Sequence, residues 1–364
     1  MKGRVILYEQ PKSRANAALV VDGRLEDLIL EPPCEDRTPP VGAVLAARIG
    51  RRIPKTSSAF VDLHCGRSGY LKDAGTLESG AKITVQVHSY AEPGKAIPVT
   101  RHLLNKGPRL IYTPGKPGVN VSRKLRDGEE RARLQAGLAD VVEGGGLIIR
   151  SAAAGADLHE LCIEASELAI WTADWGTTPW SPNAWDAVVS TWTDPLPDMV
   201  LVWAPLAPLL TDEPTFEHRA LFLQTRVADG PDLFDHFSVW DEIERLKSPR
   251  ADLPSGAWMA VEATRAMVTV DVNTAGEFGG GAALTANLEA ARELPRQLRL
   301  RGLGGQVIVD FAPLRKSDRK RIEEALKTAF RRDPIETSLA GWTPLGNFEL
   351  QRKRERRPLS ELLP

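Results

Sequence analysis

The stretch Met267-Val268-Thr269-Val270-Asp271-Val272-Asn273, with its later companion Gln306-Val307-Ile308-Val309-Asp310-Phe311, decides how this chain is read. In the first, valines alternate with Thr269, Asp271 and Asn273, the period-two pattern of a strand with one apolar and one polar face. An Asp and an Asn two apart on such a strand project together, about 7 Å apart along the chain. In the second, Asp310 follows an apolar run, where an ionised carboxylate is costly unless paired or metal-bound. Between them lie Gly276 and Gly279-Gly280-Gly281, then a helix over 283–301 with Leu284, Leu288, Ala291, Leu294 and Leu298 at helical spacing. Pro295 is expected to kink that helix, and Gly302, Gly304 and Gly305 stop it. A strand–helix–strand unit sets its strands parallel with a right-handed crossover. Asp271 and Asp310 are therefore predicted to meet at neighbouring C-terminal strand ends, where open α/β sheets place their sites. Two carboxylates and an amide oxygen make a hard, all-oxygen donor set that suits Mg²⁺ or Mn²⁺. On a phosphodiester such an ion polarises a phosphoryl oxygen and activates a water. The plainer alternative is that each Asp pairs with an arginine or caps the following turn.

Upstream the text is more broken. Residues 1–33 read as short strands at 4–8 and 17–21, with a turn at Asp22-Gly23. Pro32, Pro33, Pro39 and Pro40 then separate off a new unit. Residues 41–101 hold short strands at 44–49, 59–63, 82–87 and 96–100 with Gly-bearing turns, which suits a small oligonucleotide-binding (OB) barrel. From Gly107 a mixed unit follows: a strand at 110–112, a helix at 127–142, a strand at 147–150 and a helix at 158–171. The stretch 171–203 holds six of the nine tryptophans and reads as the buried packing of an irregular connection.

Bulk properties bound the answer. At 364 residues the chain exceeds one hydrophobic core, so two to four subdomains are expected. No apolar run approaches a membrane span, and the N-terminus reads as a first strand, not a signal peptide. Cys34, Cys65 and Cys162 form no Cys-x-x-Cys pair and read as reduced, buried filler in a cytoplasmic protein. With no clustered histidines, zinc is not expected. The net charge is −1, but Arg292 to Arg357 carries 17 Lys plus Arg against 9 Asp plus Glu. That basic third either holds phosphates or consists of solvated helix faces and a frayed tail.

Residues 268–274 with Gly279-Gly280 resemble the active-site segment of the ribonuclease E/G family. So do 285–291 (Thr285-Ala286-Asn287-Leu288-Glu289-Ala290-Ala291), 296–305 and 307–311. Leu253-Pro254-Ser255-Gly256 and residues 262–266 extend the likeness upstream, and 348–354 resemble the close of the family's DNase I-like subdomain. The resemblance implies an α+β multi-subdomain protein: an RNase H-like piece (1–35 and 190–246), an inserted OB barrel (36–101) and a 5′-sensor-like unit (102–189). A DNase I-like α/β catalytic piece (247–364) follows. It implies a Mg²⁺-dependent endoribonuclease that cleaves single-stranded RNA by metal-activated water, leaving 5′-phosphate and 3′-hydroxyl ends. Asp271 and Asp310 would hold Mg²⁺ or Mn²⁺, with Asn273 binding or orienting the reacting group. Substrates would include rRNA precursors or mRNA. On the barrel, Phe60 and Tyr70 would take a base with Lys95 near the backbone, against the commoner fate of Phe as core. Gly107, Ile111, Arg150 and Ser151 would line a pocket for an RNA 5′-monophosphate.

The chain departs from the family pattern at three points. The family's further phosphate-binding arginine falls on Glu336, which repels a phosphate where a guanidinium would clamp it. Arg150 is then read as structural, and 5′ ends as unsensed. The Cys-Pro-x-Cys zinc link and the C-terminal scaffold are absent, so a zinc-linked dimer or tetramer is not expected. A non-catalytic RNA-binding or rRNA maturation factor that keeps the fold is the rival reading.

Overall fold

Asp22 (φ 50°) and Gly23 (φ 82°) both take the left-handed conformation that a two-residue type I′ hairpin requires. They join β2 (Asn16–Val21) to β3 (Arg24–Leu30), while β2 pairs antiparallel with β1 (Arg4–Glu9). The structure is a computed structural model and describes all residues except 1, 11–13, 34, 64, 177, 194–196, 204–224, 229–232, 275, 277–279 and 364. Readings that fall on Cys34 and Gly279 lie outside the described residues. The chain divides into two units, Met1–Arg24 with Ile29–Leu233, and Leu25–Leu28 with Phe234–Pro364. Among the described residues no helix is long and apolar enough to cross a membrane.

The first unit contains three assemblies. In the barrel, β4 (Val44–Arg52), β5 (Ala59–Leu63), β6 (Ser68–Leu71), β7 (Lys82–Val87) and β8 (Ile97–Thr100) close in the order β4-β5-β6-β8-β7. Ile49, Val61, Leu63, Leu71, Val85 and Val99 fill it. Gly69 faces inward, where a Cβ would sit 2.7 Å from Val61 Cγ2. A closed five-stranded barrel of short strands fits the expected OB-like piece.

The second assembly is a four-stranded sheet, in which β9 (Asn105–Lys106), β10 (Leu110–Pro114), β11 (Gly118–Val121) and β12 (Gly145–Ile149) take the order β11-β12-β10-β9. Helices α1 (Gly128–Gly137) and α2 (Leu158–Thr172) accompany it, each opened by an Asp whose carboxylate accepts two backbone N–H bonds, Asp127 and Asp157. The helix expected to reach 142 stops at Gly137. There the helix meets Leu158, whose Cδ2 would lie 2.6 Å from an added Cβ.

The third assembly is a sheet in which β13 (Met199–Trp203) runs parallel to β1, and β14 (Thr225–Ala228) parallel to β13. The tryptophan-rich stretch supplies α3 (Ala184–Trp192) with its Asn183/Asp186 capping box. It places Trp185, Val188, Val189 and Trp192 one helical turn after another in the core under β1. Trp175, Trp185 and Trp192 are buried as expected, the last two on this regular helix in place of an irregular connection, whereas Trp171 and Trp180 are half-buried.

In the second unit, β15 (Arg250–Asp252), β16 (Trp258–Ala263), β17 (Val268–Asn273), β18 (Gly305–Asp310), β19 (Thr337–Trp342) and β20 (Phe348–Arg352) form one sheet, ordered β15-β16-β17-β18-β20-β19. Only β17 and β18 pair in parallel; the other neighbours are antiparallel. Helix α4 (Gly280–Leu300) makes the crossover and continues through Pro295, and α5 (Arg319–Arg332) follows. Val270, Val272, Val307 and Val309 pack beneath Leu294, Leu298, Ile322 and Leu326. The opposite sheet face carries the exposed side chains of Glu262, Asp271, Gln306, Asp310 and Gln351.

This arrangement corrects two expectations. The basic third is not a continuous surface, and its tail is not frayed. Arg352 is 0% exposed and meets Asp333 at 3.0 Å, while Asp333 also takes Arg299 at 2.5 Å. Asp27 takes Arg356 at 3.2 Å, and Arg354 donates to the Gly304 carbonyl at 2.8 Å. Arg296 and Arg301 are buried as well. Much of the counted surplus therefore closes ion pairs inside the fold, leaving Arg292, Arg315, Lys316, Lys320, Arg321, Lys327, Arg331 and Arg332 exposed. The second correction concerns the thiols: Cys65 is exposed, while Cys162 is half-buried against the core of its subunit sheet.

Candidate active site

Alternation along β17 turns its valines into the core and leaves Thr269, Asp271 and Asn273 on the open face. Along β18 the same rule buries Val307 and Val309 and exposes Gln306 and Asp310. The two strands pair so that Asp271 and Asp310 are Cα partners. Partners on parallel neighbours lie about 4.8 Å apart with side chains on one face. Both carboxylates are exposed, and among the described residues neither pairs with a cation. The Asn273 amide nitrogen donates to Asp271 Oδ2 at 2.8 Å, which orients that carboxylate and leaves the amide oxygen as the free donor atom.

These atoms fit a hard divalent cation: two adjacent carboxylates and an amide oxygen, all solvent-facing, with no guanidinium filling the space between. Among the described residues no group of three or more His, Cys, Asp or Glu comes together, so water and substrate oxygens would have to complete the coordination.

Two contacts hold the loops beside the site. Fully buried on α4, Asn287 bonds both backbone groups of Ala312, just past Asp310. Glu289, two residues on, accepts from the Ser255 N–H at 3.0 Å and from its hydroxyl at 2.7 Å. No role for either was read from the sequence. A signal was present for Asn287, which shares the inward helix face of Ala283, Ala286, Ala290 and Leu294, where an amide is costly without partners.

On the barrel, Phe60 and Tyr70 are Cα partners on β5 and β6, with ring centroids 6.1 Å apart at 63°. Both alternate with inward residues and are half-buried, so Phe60 lies on the outer face and not in the core. Arg51 places its guanidinium 5.8 Å from the Phe60 centroid. Lys95 lies two residues before the Ile97–Thr100 strand that pairs with β6, and meets Glu92 at 2.5 Å.

The predicted 5′-phosphate residues also gather, around β10 and β12. Gly107 is buried, and an added Cβ would fall 2.5 Å from Glu164 Oε1. Arg150, 9% exposed, donates from Nη1 to the Gly107 carbonyl at 2.6 Å and to the Val189 carbonyl at 3.4 Å. Ile111 and Ser151 are half-buried beside them. Glu164 accepts the N–H bonds of Arg109 (3.0 Å) and Leu110 (2.9 Å), and its burial pushes its pKa up to about 7. Glu336 is exposed in the other unit, just before β19.

Comparison with known proteins sets this chain among the ribonucleases. The chain belongs to the ribonuclease E/G family, which matches it over residues 106–177 and 214–355, more than half its length. It is 28% identical to Ribonuclease G of Salmonella typhimurium and, equally, to Ribonuclease G of Escherichia coli. Each match covers 98% of this chain and 81% of the relative. Ribonuclease E of Haemophilus influenzae is also 28% identical, over 96% of this chain and 42% of that protein.

Proposed function

We propose that this chain is a Mg²⁺-dependent endoribonuclease (Mn²⁺ serving as well) that hydrolyses single-stranded RNA and leaves 5′-phosphate and 3′-hydroxyl ends. The observation that carries the reading is the register pairing of Asp271 with Asp310 on the open face, with Asn273 bonded to the first. Family membership supports the same chemistry. Asp271 and Asp310 would hold the cation, and the Asn273 amide would keep Asp271 turned toward it. A divalent ion in that place supplies Lewis-acid polarisation of the phosphoryl oxygen and an acidified water. Without an ion the two carboxylates would repel a phosphodiester, so the pair alone cannot be the binding site for RNA.

Phe60 and Tyr70 would stack unpaired bases, which favours single strands and tolerates any sequence, rRNA precursors and mRNA included. The division into RNase H-like, OB, sensor-like and DNase I-like parts at 1–35, 36–101, 102–189, 190–246 and 247–364 belongs to this proposal, as does a cytoplasmic place of action.

The test is cleavage of an unstructured RNA with and without Mg²⁺, by wild type, Asp271→Asn and Asp310→Asn. Loss of cutting in both variants and on chelation is the expected result. Equal activity in all three chains rejects the proposal, and salt-sensitive RNA binding without products would identify a non-catalytic RNA-binding factor.

A further inference from the structure

Trp258 opens β16 opposite Asn273, as its Cα partner in the antiparallel pair. Its neighbours on the same face are Ala260, opposite Asp271, and Glu262, opposite Thr269. One strand spacing and two residue rises separate Trp258 from Asp271, about 8 Å between Cα atoms. That is within the reach of one nucleotide from a phosphate held at the carboxylates. The ring is only half-buried, on a mostly polar face that also carries Ala260 and Ile308. Its indole N–H has no partner among the described residues. Arg250, on the edge strand β15, sets its guanidinium 4.9 Å from the ring centroid. Its exposed pairing with Asp252 at 2.7 Å is of a kind worth little in water.

We infer that Trp258 and Arg250 form a base-stacking subsite for the nucleotide adjacent to the scissile linkage. An RNA strand meets an acid-rich face here: Asp252, Glu262, Asp271, Asp310 and Glu349 all belong to it. Long-range charge opposes the approach, so short-range stacking has to fix the strand beside the site. An indole bearing a flat cation supplies that contact for any base, and the guanidinium can also meet the neighbouring phosphate. The inference rests on the proposed RNA cleavage, but its test is read from binding.

The experiment measures the affinity of a short unstructured RNA for the Asp310→Asn chain, alone and combined with Trp258→Ala, Trp258→Phe or Arg250→Ala. Intact RNA is compared with RNAs carrying a single abasic residue scanned position by position. Trp258→Ala is expected to weaken intact RNA about tenfold, and Trp258→Phe about twofold. One abasic position should weaken the parent chain by a similar factor and add nothing on top of Trp258→Ala. Arg250→Ala should weaken binding with a shallower salt dependence. If Trp258→Ala leaves affinity unchanged, or loses the same factor on every abasic RNA as on the intact one, the subsite is overturned. A wild type that binds RNA but never cuts it would instead remove the reading of the two aspartates, so the two failures are distinct.

Discussion

Asn287 and Ala312 hold each other twice: the Asn287 amide nitrogen donates to the Ala312 carbonyl at 2.8 Å, and the Ala312 N–H donates back to Oδ1 at 2.9 Å. Both residues are buried, so water cannot replace either bond. Because Ala312 lies two residues past Asp310, this clamp sets where the carboxylate leaves the sheet. Asn287→Ala strands both backbone groups and should cost about 2–4 kcal/mol. Asn287→Asp keeps the size but sets a carboxylate against the Ala312 carbonyl, and should be worse. Thermal melts and cleavage rates check this together. An Asn287→Asp chain as stable and active as wild type would show that the loop is held elsewhere.

Glu164 predicts a pH effect on the first unit. Its folded pKa of about 7 lies above the usual 4.5, because burial outweighs the two N–H bonds it accepts and the nearby Arg109 and Arg150 charges. The folded chain therefore binds the proton more tightly than the unfolded one. The stability tied to this group is complete below about pH 4.5 and is lost as pH rises through about 7. The loss is on the order of 3 kcal/mol. Glu164→Gln retains an oxygen for Arg109 and Leu110 and should flatten the dependence. Denaturation midpoints at pH 5 and 7.5 for both chains decide it; parallel slopes would assign the effect to other groups.

Asp333 stands between Arg299 and Arg352 with no exposed side-chain surface. Removing it leaves two guanidiniums facing each other inside the second unit. Asp333→Ala should cost about 3–5 kcal/mol, whereas Arg331→Ala next door should change little. Comparable melting shifts for the two would contradict the buried network.

Phe60 and Tyr70 lie outside the barrel core, so their loss should show in RNA binding more than in folding. Each alanine variant is expected to weaken single-stranded RNA by about 1–3 kcal/mol while the melting temperature stays near wild type. A large fall in stability with unchanged affinity would return Phe60 to a packing role.

Glu336 bears on 5′ ends. The resemblance implies a carboxylate in place of the family's arginine; on that reading, and with Arg150 donating to the carbonyls of Gly107 and Val189, 5′-monophosphate and 5′-hydroxyl RNAs should be cut at similar rates. A strong monophosphate preference, measured on otherwise identical RNAs, would require another cation in the pocket.

The Asp271–Asp310 pairing was legible because two local rules suffice for it: alternation chooses the face, and the handed crossover makes the strands neighbours. Four of the five barrel strands were legible by alternation, but Ser68–Leu71, which carries Tyr70, was not, because it is only four residues long and includes a glycine. The fate of the arginines was not. Arg352 sits in a run that looks like a solvated tail, yet it continues the inward register of Phe348 and Leu350. Its buried partner Asp333 comes from the end of α5, and no local pattern links two such positions. The place of Trp258 beside Asn273 depends on the register of the β16–β17 hairpin, which alternation alone does not fix.

Helix α4 does more than carry the chain from one strand to the next, since Asn287 and Glu289 fasten a loop each. Adding or deleting one residue between Gly280 and Asn287 would rotate every later side chain by about 100° and release both loops in a single event. Variation along this segment should therefore be confined to exchanges at its outward positions, with its length unable to drift.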